Sequence, residues 1–364
     1  MEMERSTAEI SLDKTLLDRK VLASFPKVEL HRHLEGTFPI DSLFQMSLKN
    51  NLSVPKTFDA FKEAFQFPRD SKPDFLLFLS KFKNFWYKSL DDISFITHDS
   101  VTAFKEDNLK YIELRFSPEH FSDVNNFDRL TVINLVMESA KAAAKSQNIM
   151  IRFLLTFNRN KQNEDEMLDM YKKIVNKLDD GVVGIDLAGD EMNFPPELYS
   201  NFFKYIHQEG RFKIDIHAGE VTDSKNIWTA VKQLHADRIG HGVSTIHDPD
   251  LQSFLIDRNI SLCQCITSNY QTGAWVKSET HPLGTLYRRG VPISINSDDP
   301  SIQDSTLTDD YYKAVNNFKL SFNDLVNLNI TAINHSFLSS PDKLKLKESY
   351  LLEVSRFKAS YKIL

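Results

Sequence analysis

The sequence predicts an α/β chain folded as a single (β/α)8 barrel of the TIM type, and three observations carry that reading. Eight short apolar segments that read as strands alternate with helical segments between residues 28 and 299, and such alternation implies a parallel sheet with its helices outside. Eight units favour closure over an open doubly wound sheet, and no Gly-x-Gly-x-x-Gly follows any strand to mark a dinucleotide fold. The 364 residues would suit two domains by length alone, but barrels with insertions reach that size as one unit. The expectation is one domain over residues 1–364, without an internal repeat, low-complexity segment or linker.

Residues 1–27 are expected to form a peripheral amphipathic helix, with Leu12, Leu16 and Leu17 at helical spacing. The first strand, 28–34, carries His31 and His33 near its end. Residues 39–52 read as a helix with Leu43, Met46, Leu48 and Leu52 on its apolar positions. Residues 54–108 contain no strand signal. They are expected to be a helical insertion over the face where barrels bind ligands, and they hold an aromatic-rich run over 75–82, then Phe85 and Trp86. Further strands are predicted at 111–117, 149–157, 182–189, 213–220, 238–242, 261–267 and 292–299. Helices are predicted between them at 130–146, 164–178, 197–209, 224–235, 248–258 and 281–289, and three helical segments close the chain.

Composition narrows the function. The chain is 41% hydrophobic and 26% charged, ordinary for a soluble globule. A fold of this size buries about three quarters of its unfolded surface and needs no covalent staples. The formal charge is −6 with Lys and Arg scattered, which argues against a nucleic-acid stripe or a polybasic membrane patch. The two cysteines, Cys263 and Cys265, are too few and too close for a disulfide framework, so reduced buried thiols in a cytoplasmic protein are expected. The N-terminus has no apolar signal region, and no apolar run reaches about 18 residues.

The strand ends hold the chemistry. His31 and His33 are spaced i, i+2, so on a strand both face one point, and neutral imidazoles held this way suit a catalytic metal. The fifth strand ends in His217-Ala218-Gly219-Glu220, the sixth in His241-Gly242 and the eighth in Asp298-Asp299. Four histidines and three carboxylates thus converge at one mouth. Ionisable groups placed there are costly without a partner, and together they point to a mononuclear metal site. No lysine lies between Gly181 and Phe203 to bridge a second ion, which favours one metal. Gly189, after the fourth strand, can offer its backbone N–H to a close ligand.

The motifs resemble those of the adenosine deaminase family of metal-dependent barrel hydrolases. The matching stretches are 27–36 (KVELHRHLEG), 185–191 (IDLAGDE), 215–220 (DIHAGE), 238–242 (RIGHG), 272–275 (TGAW) and 294–300 (SINSDDP), in family order, and the likeness spans roughly residues 25–340. The resemblance implies one zinc per chain, held by His31, His33, His217 and Asp298, with water in the remaining position. It implies that His241 orients or deprotonates the attacking water and that Glu220 protonates purine N1. It implies that Asp299 hydrogen-bonds N7 and that Gly189 lies against N3. His33, Glu35, Phe75, Phe78, Leu79 and Phe82 would also contact substrate, the last four as an apolar cover, while Ser268 and Trp275 lie in a matching region.

The activity so implied is hydrolytic deamination of adenosine and 2′-deoxyadenosine, small-molecule nucleosides, in purine salvage; a cytoplasmic monomer is the separate expectation for the chain. Glu35 departs from the pattern. Adenosine-specific members usually carry Asp there, against the ribose 5′-hydroxyl, whereas Glu resembles the adenine deaminase branch. That branch in turn usually lacks the 188–191 ending found here. Adenine or a modified adenosine is therefore the alternative substrate. A barrel hydrolase for phosphate esters or lactones is disfavoured by the missing lysine and by Glu220, which would have no ring nitrogen to protonate.

Overall fold

The structure, a computed structural model, describes residues 17–68 and 71–363. Eight strands form one sheet: β1 (Lys27–His33), β2 (Leu109–Phe116), β3 (Met150–Asn158), β4 (Val182–Ala188), β5 (Lys213–Ala218), β6 (Arg238–His241), β7 (Ser261–Gln264) and β8 (Ile293–Ile295). Sequence neighbours are sheet neighbours and every pair is parallel. The seam between β8 and β1 closes just beyond β8. There His33 N donates to Asp298 O at 3.0 Å, Asp298 N donates to His31 O at 3.1 Å, and Arg32 pairs with Asp298. Lower down, Leu30 N donates to the Asn296 side chain at 2.9 Å, which finishes the (β/α)8 barrel.

Inside the barrel, period-two alternation places charged side chains where an apolar core would be usual. Arg115 reaches Asp186 and Asp215, each at 3.0 Å, and Arg238 reaches Asp215 and Glu113, each at 2.7 Å. All five side chains are fully buried, and burial at this cost is sustained because each charge meets an opposite one. The sequence reading did not identify this layer, which forms the floor beneath the strand-end residues.

Three predicted strands end early. The seventh stops at Gln264, and Ile266–Gln271 is helical instead. Its β-branched Ile266 and Thr267 favour a strand locally, but Asp310 captures both the backbone N–H and the hydroxyl of Thr267 and turns the chain. The eighth keeps only Ile293–Ile295, and the fifth ends at Ala218, where Gly219 (φ 62°) takes the left-handed region. The helices predicted between the strands are present within a few residues.

The insertion over 54–108 is helical, with Phe58–Phe65, Phe75–Leu79 and Leu90–Thr102 as its α-helices. Asp74 caps Phe75–Leu79, accepting from Leu77 N at 2.8 Å. The segment is tied to the barrel mouth twice, through Phe67 N to Ile302 O at 2.7 Å and Asp74 N to Gln271 O at 2.9 Å. Phe67, Phe78 and Ile302, with Phe82 against them, make a small apolar cluster of their own. Of the peripheral N-terminal helix, Arg19–Ser24 is helical, while Leu12 and Leu16 lie outside the described residues. Cys263 and Cys265 are buried free thiols. Among the described residues no helix is long and apolar enough to cross a membrane.

Candidate active site

The closing seam draws Asp298 beside the two histidines of β1, and His217 reaches them from β5. One ligand atom each from His31, His33, His217 and Asp298 lies within 4.8 Å of the others. Asp298 Oδ1 is 3.2 Å from His31 Nε2 and 3.4 Å from His33 Nε2, and His33 Nε2 is 3.1 Å from His217 Nε2. Both ring nitrogens of His31 and Asp298 Oδ1 are buried without a well-directed hydrogen-bond partner. Lone pairs facing one another in this way are unfavourable unless a cation sits among them. Three imidazole nitrogens and one carboxylate oxygen are a donor set that fits a catalytic metal. Burial holds His31 well below its ordinary value and His33 at about 3, keeping both in the neutral, ligating form.

The strand ends are strained to aim these groups. Asp298 (φ 65°) and His241 (φ 61°) both occupy the left-handed region, which costs a non-glycine residue about 1–3 kcal/mol. For His241 the turn brings the ring into the mouth, with Nε2 3.6 Å from Glu220 Oε2 and 3.9 Å from Asp298 Oδ2. Glu220 Oε1 accepts from the Thr272 hydroxyl at 3.0 Å. Burial, then the charges of Asp298 and Glu191, push the Glu220 carboxyl up to about 8. Asp299 is also raised well above its ordinary value, by burial first and by Asp298 next. Gly36 makes room for it, since a Cβ there would lie 1.8 Å from Asp299 Oδ1.

One cavity of about 130 Å³ joins these groups. Its wall includes His33, Glu35, Gly189, His217, Glu220, His241, Asp298 and Asp299, and Phe75, Phe78, Leu79 and Phe82 cover it. His31 lies beneath, fully buried. Gly189 (φ 102°) approaches too closely for a side chain, because a Cβ would meet Asn160 Oδ1 at 2.4 Å. Glu35 Oε1 accepts from Ser117 N at 2.6 Å while Oε2 is buried and unpartnered, and burial pushes this carboxyl up to about 8. Two candidates do not reach the cavity wall. Trp275 stacks on His247 at 5.9 Å, and Ser268 is buried inside its helix.

Sequence reasoning missed several residues here. Asn269 touches both His241 and Glu220, and His281 touches Asn269. His120, on the short helix Pro118–Ser122 after β2, and Lys161, in the turn after β3, also line the cavity. Asn269 and Thr272 flank or open the matched 272–275 stretch, so that motif was their signal. His120 and Lys161 are isolated polar residues outside any matched motif and carried none.

The sequence profile described as adenosine deaminase matches residues 26–351. An adenosine deaminase of Aliivibrio fischeri is 30% identical over 339 residues, covering 90% of this chain and 98% of that one. Among solved structures, an adenine deaminase of Arthrobacter aurescens superposes with a TM-score of 0.82 at 23% identity, over 91% of this chain and 99% of that one. An amidohydrolase of Burkholderia ambifaria with bound Zn gives 0.86 at 21%, over 95% of each chain. The N6-methyl-AMP deaminase of Arabidopsis thaliana gives 0.78 at 23%, over 92% and 98%. These three share the fold. With its profile match spanning the barrel, the chain belongs to the adenosine deaminase family.

Proposed function

We propose that the chain holds one zinc through His31, His33, His217 and Asp298 and hydrolytically deaminates adenosine and 2′-deoxyadenosine, releasing ammonia. The observation that carries this reading is Glu220, a buried carboxyl pushed up to about 8 that shares a cavity with the His/Asp cluster. An acid kept protonated beside a metal has a use when the attacked carbon adjoins a basic ring nitrogen, as in adenine. Family membership supports an adenosine-type substrate, and the zinc-bound structural neighbour supports the choice of metal.

When bound, zinc supplies water activation, since coordination can lower a water's pKa from about 15.7 to about 7. The chain's own groups do the rest. Glu220 passes its proton to purine N1 and makes the adjacent carbon electrophilic. His241, its Nε2 3.6 Å from Glu220 Oε2, orients the attacking water. Asp299, kept protonated by burial, donates to N7, which is only an acceptor. Gly189 leaves backbone open to N3, Glu35 meets the ribose, and the four apolar residues of the cover exclude bulk water.

The test is ammonia release from adenosine, 2′-deoxyadenosine, adenine and AMP, with metal content measured on the same sample. Adenosine and deoxyadenosine should be turned over fastest, at one zinc per chain. Release from none of the four would overturn the reading. Two observations favour a second reading within the same chemistry. Glu35 suits a substrate other than plain adenosine, including free adenine. Lys161, exposed and without an ion-pair partner among the described residues, and His120, whose Nε2 is buried and unpartnered, would suit an adenosine extended at its 5′ end by an anionic group. AMP leading the panel would favour that version, and adenine leading would favour the adenine version.

A further inference from the structure

We infer that His281 and Asn269 are positioning residues, which fix the orientation and tautomer of His241 and hold Glu220 beside it. The inference rests on reading His241 as the group that orients the attacking water and Glu220 as the acid. It begins at a group whose polarity admits one assignment, the backbone N–H of Leu283.

Leu283 N lies 3.2 Å from His281 Nδ1. A backbone amide only donates, so Nδ1 accepts and the single proton of this ring sits on Nε2. His281 Nε2 is 3.1 Å from the Asn269 side-chain oxygen, Oδ1. A donor there requires an acceptor, which sets the Asn269 amide with its oxygen toward His281 and its nitrogen the other way. That nitrogen, Nδ2, stands 3.0 Å from His241 Nδ1 and 3.5 Å from Glu220 Oε1. Its two hydrogens therefore serve both groups. His241 Nδ1 must accept, so the proton of this ring is on Nε2, the nitrogen that faces Glu220 and Asp298.

The chain of donors runs in one direction from the helix Leu283–Arg288 to the cavity, and each member is pinned. His281 is 2% exposed and Asn269 fully buried, so water does not compete for either. Asn269 is also fixed through its backbone, with its N–H on Cys265 O at 2.9 Å and its carbonyl accepting from Trp275 N at 2.8 Å. A buried relay with every member satisfied selects one arrangement, because flipping the amide leaves two donors opposed at one end and two acceptors opposed at the other. The consequence is that His241 presents an N–H toward the reacting side and acts on the attacking water as a donor. The four residues come from 241, 269, 281 and 283, and none of the last three touches the proposed metal ligands in the hydrogen bonds described.

Neutron diffraction of zinc-loaded, deuterium-exchanged crystals tests the relay directly. Deuterons on Nε2 of both His281 and His241, with none on either Nδ1, are the expected result, and a deuteron on either Nδ1 overturns the inference. In solution, His281→Phe keeps the ring and removes the donor. It should lower kcat ten- to a hundredfold, the usual range for orienting partners, with KM changed less than about threefold and metal content unchanged. His281→Gln, which restores an N–H near the Nε2 position, should recover most of the loss. Unchanged kcat in His281→Phe, or equal loss in both variants, overturns the inference. If the wild type releases ammonia from no purine, the deaminase reading fails, and the neutron result still decides the relay.

Discussion

Asp186 Oδ1 stands 3.0 Å from His217 Nδ1, and the same oxygen accepts from Arg115 at 3.0 Å. One buried carboxylate thus links the ion layer of the barrel floor to a candidate metal ligand. Burial alone would raise the Asp186 carboxyl, but Arg115 and His217 outweigh it and hold it well below the usual range. A charged Asp186 keeps the His217 proton on Nδ1 and frees Nε2 for a metal. Asp186→Asn should weaken zinc binding by about 10- to 100-fold, while Arg115 retains Asp215. Metal titration against a chelator checks it, and unchanged affinity would remove Asp186 from the site.

The adjacent aspartates should separate cleanly. Asp298→Ala removes a proposed ligand and should lose metal and activity together. Asp299→Ala should keep the metal and lose most turnover, because its carboxyl lies against Gly36 on the cavity wall and outside the four-ligand cluster. Metal content per chain, measured beside kcat, distinguishes the two. Finding that Asp299→Ala loses zinc would place both carboxylates in the metal shell.

Glu220 sets a pH limit. Its carboxyl is raised to about 8, and the proposed chemistry requires the protonated form. Activity should therefore hold at neutral pH and fall as pH rises through that region, the direction set by loss of a required proton. Glu220→Gln keeps the shape without the transferable proton. It should bind zinc normally and run at least about a hundredfold slower, with the alkaline limb gone. An alkaline limb that persists in the variant would assign it to another group.

How much of this was legible in the sequence follows from where each contact is encoded. His31, His33, His217 and Asp298 sit at strand ends, so a short local pattern marks them and the barrel topology brings them together. The ion layer was equally local, as charges alternating with apolar residues in YIELRF, GIDLA, KIDIH and RIGH, but alternation also reads as a sheet with one wet face. The early end of β7 was not legible, because it depends on Asp310, far along the chain from Thr267. His120 and Lys161 were hidden for a related reason. Each is a single polar residue outside the matched motifs, and only the folded cavity brings it to the site.

Glu35 is the residue proposed to decide which substrate the site reads. One of its oxygens is committed to Ser117 N at 2.6 Å, and the other is buried, unpartnered and on the cavity wall. An unpartnered buried polar atom costs about 1–3 kcal/mol, and a substrate hydroxyl can recover it. With the carboxyl raised to about 8, Glu35 is protonated at neutral pH and can donate to a ribose oxygen. If it does so, 5′-deoxyadenosine should lose about 5- to 150-fold in kcat/KM relative to adenosine, the equivalent of that free energy. Glu35→Asp is one methylene shorter and cannot keep Ser117 and reach as far into the cavity. It should shift preference among nucleosides while free adenine remains a poor substrate. Adenine deaminated faster than adenosine, with no dependence on the 5′-hydroxyl, would move the protein to adenine as its substrate. The metal cluster and Glu220 would keep their roles in either case, because Glu35 is not one of the four clustered residues and Glu220 is held by Thr272 and Asn269 instead.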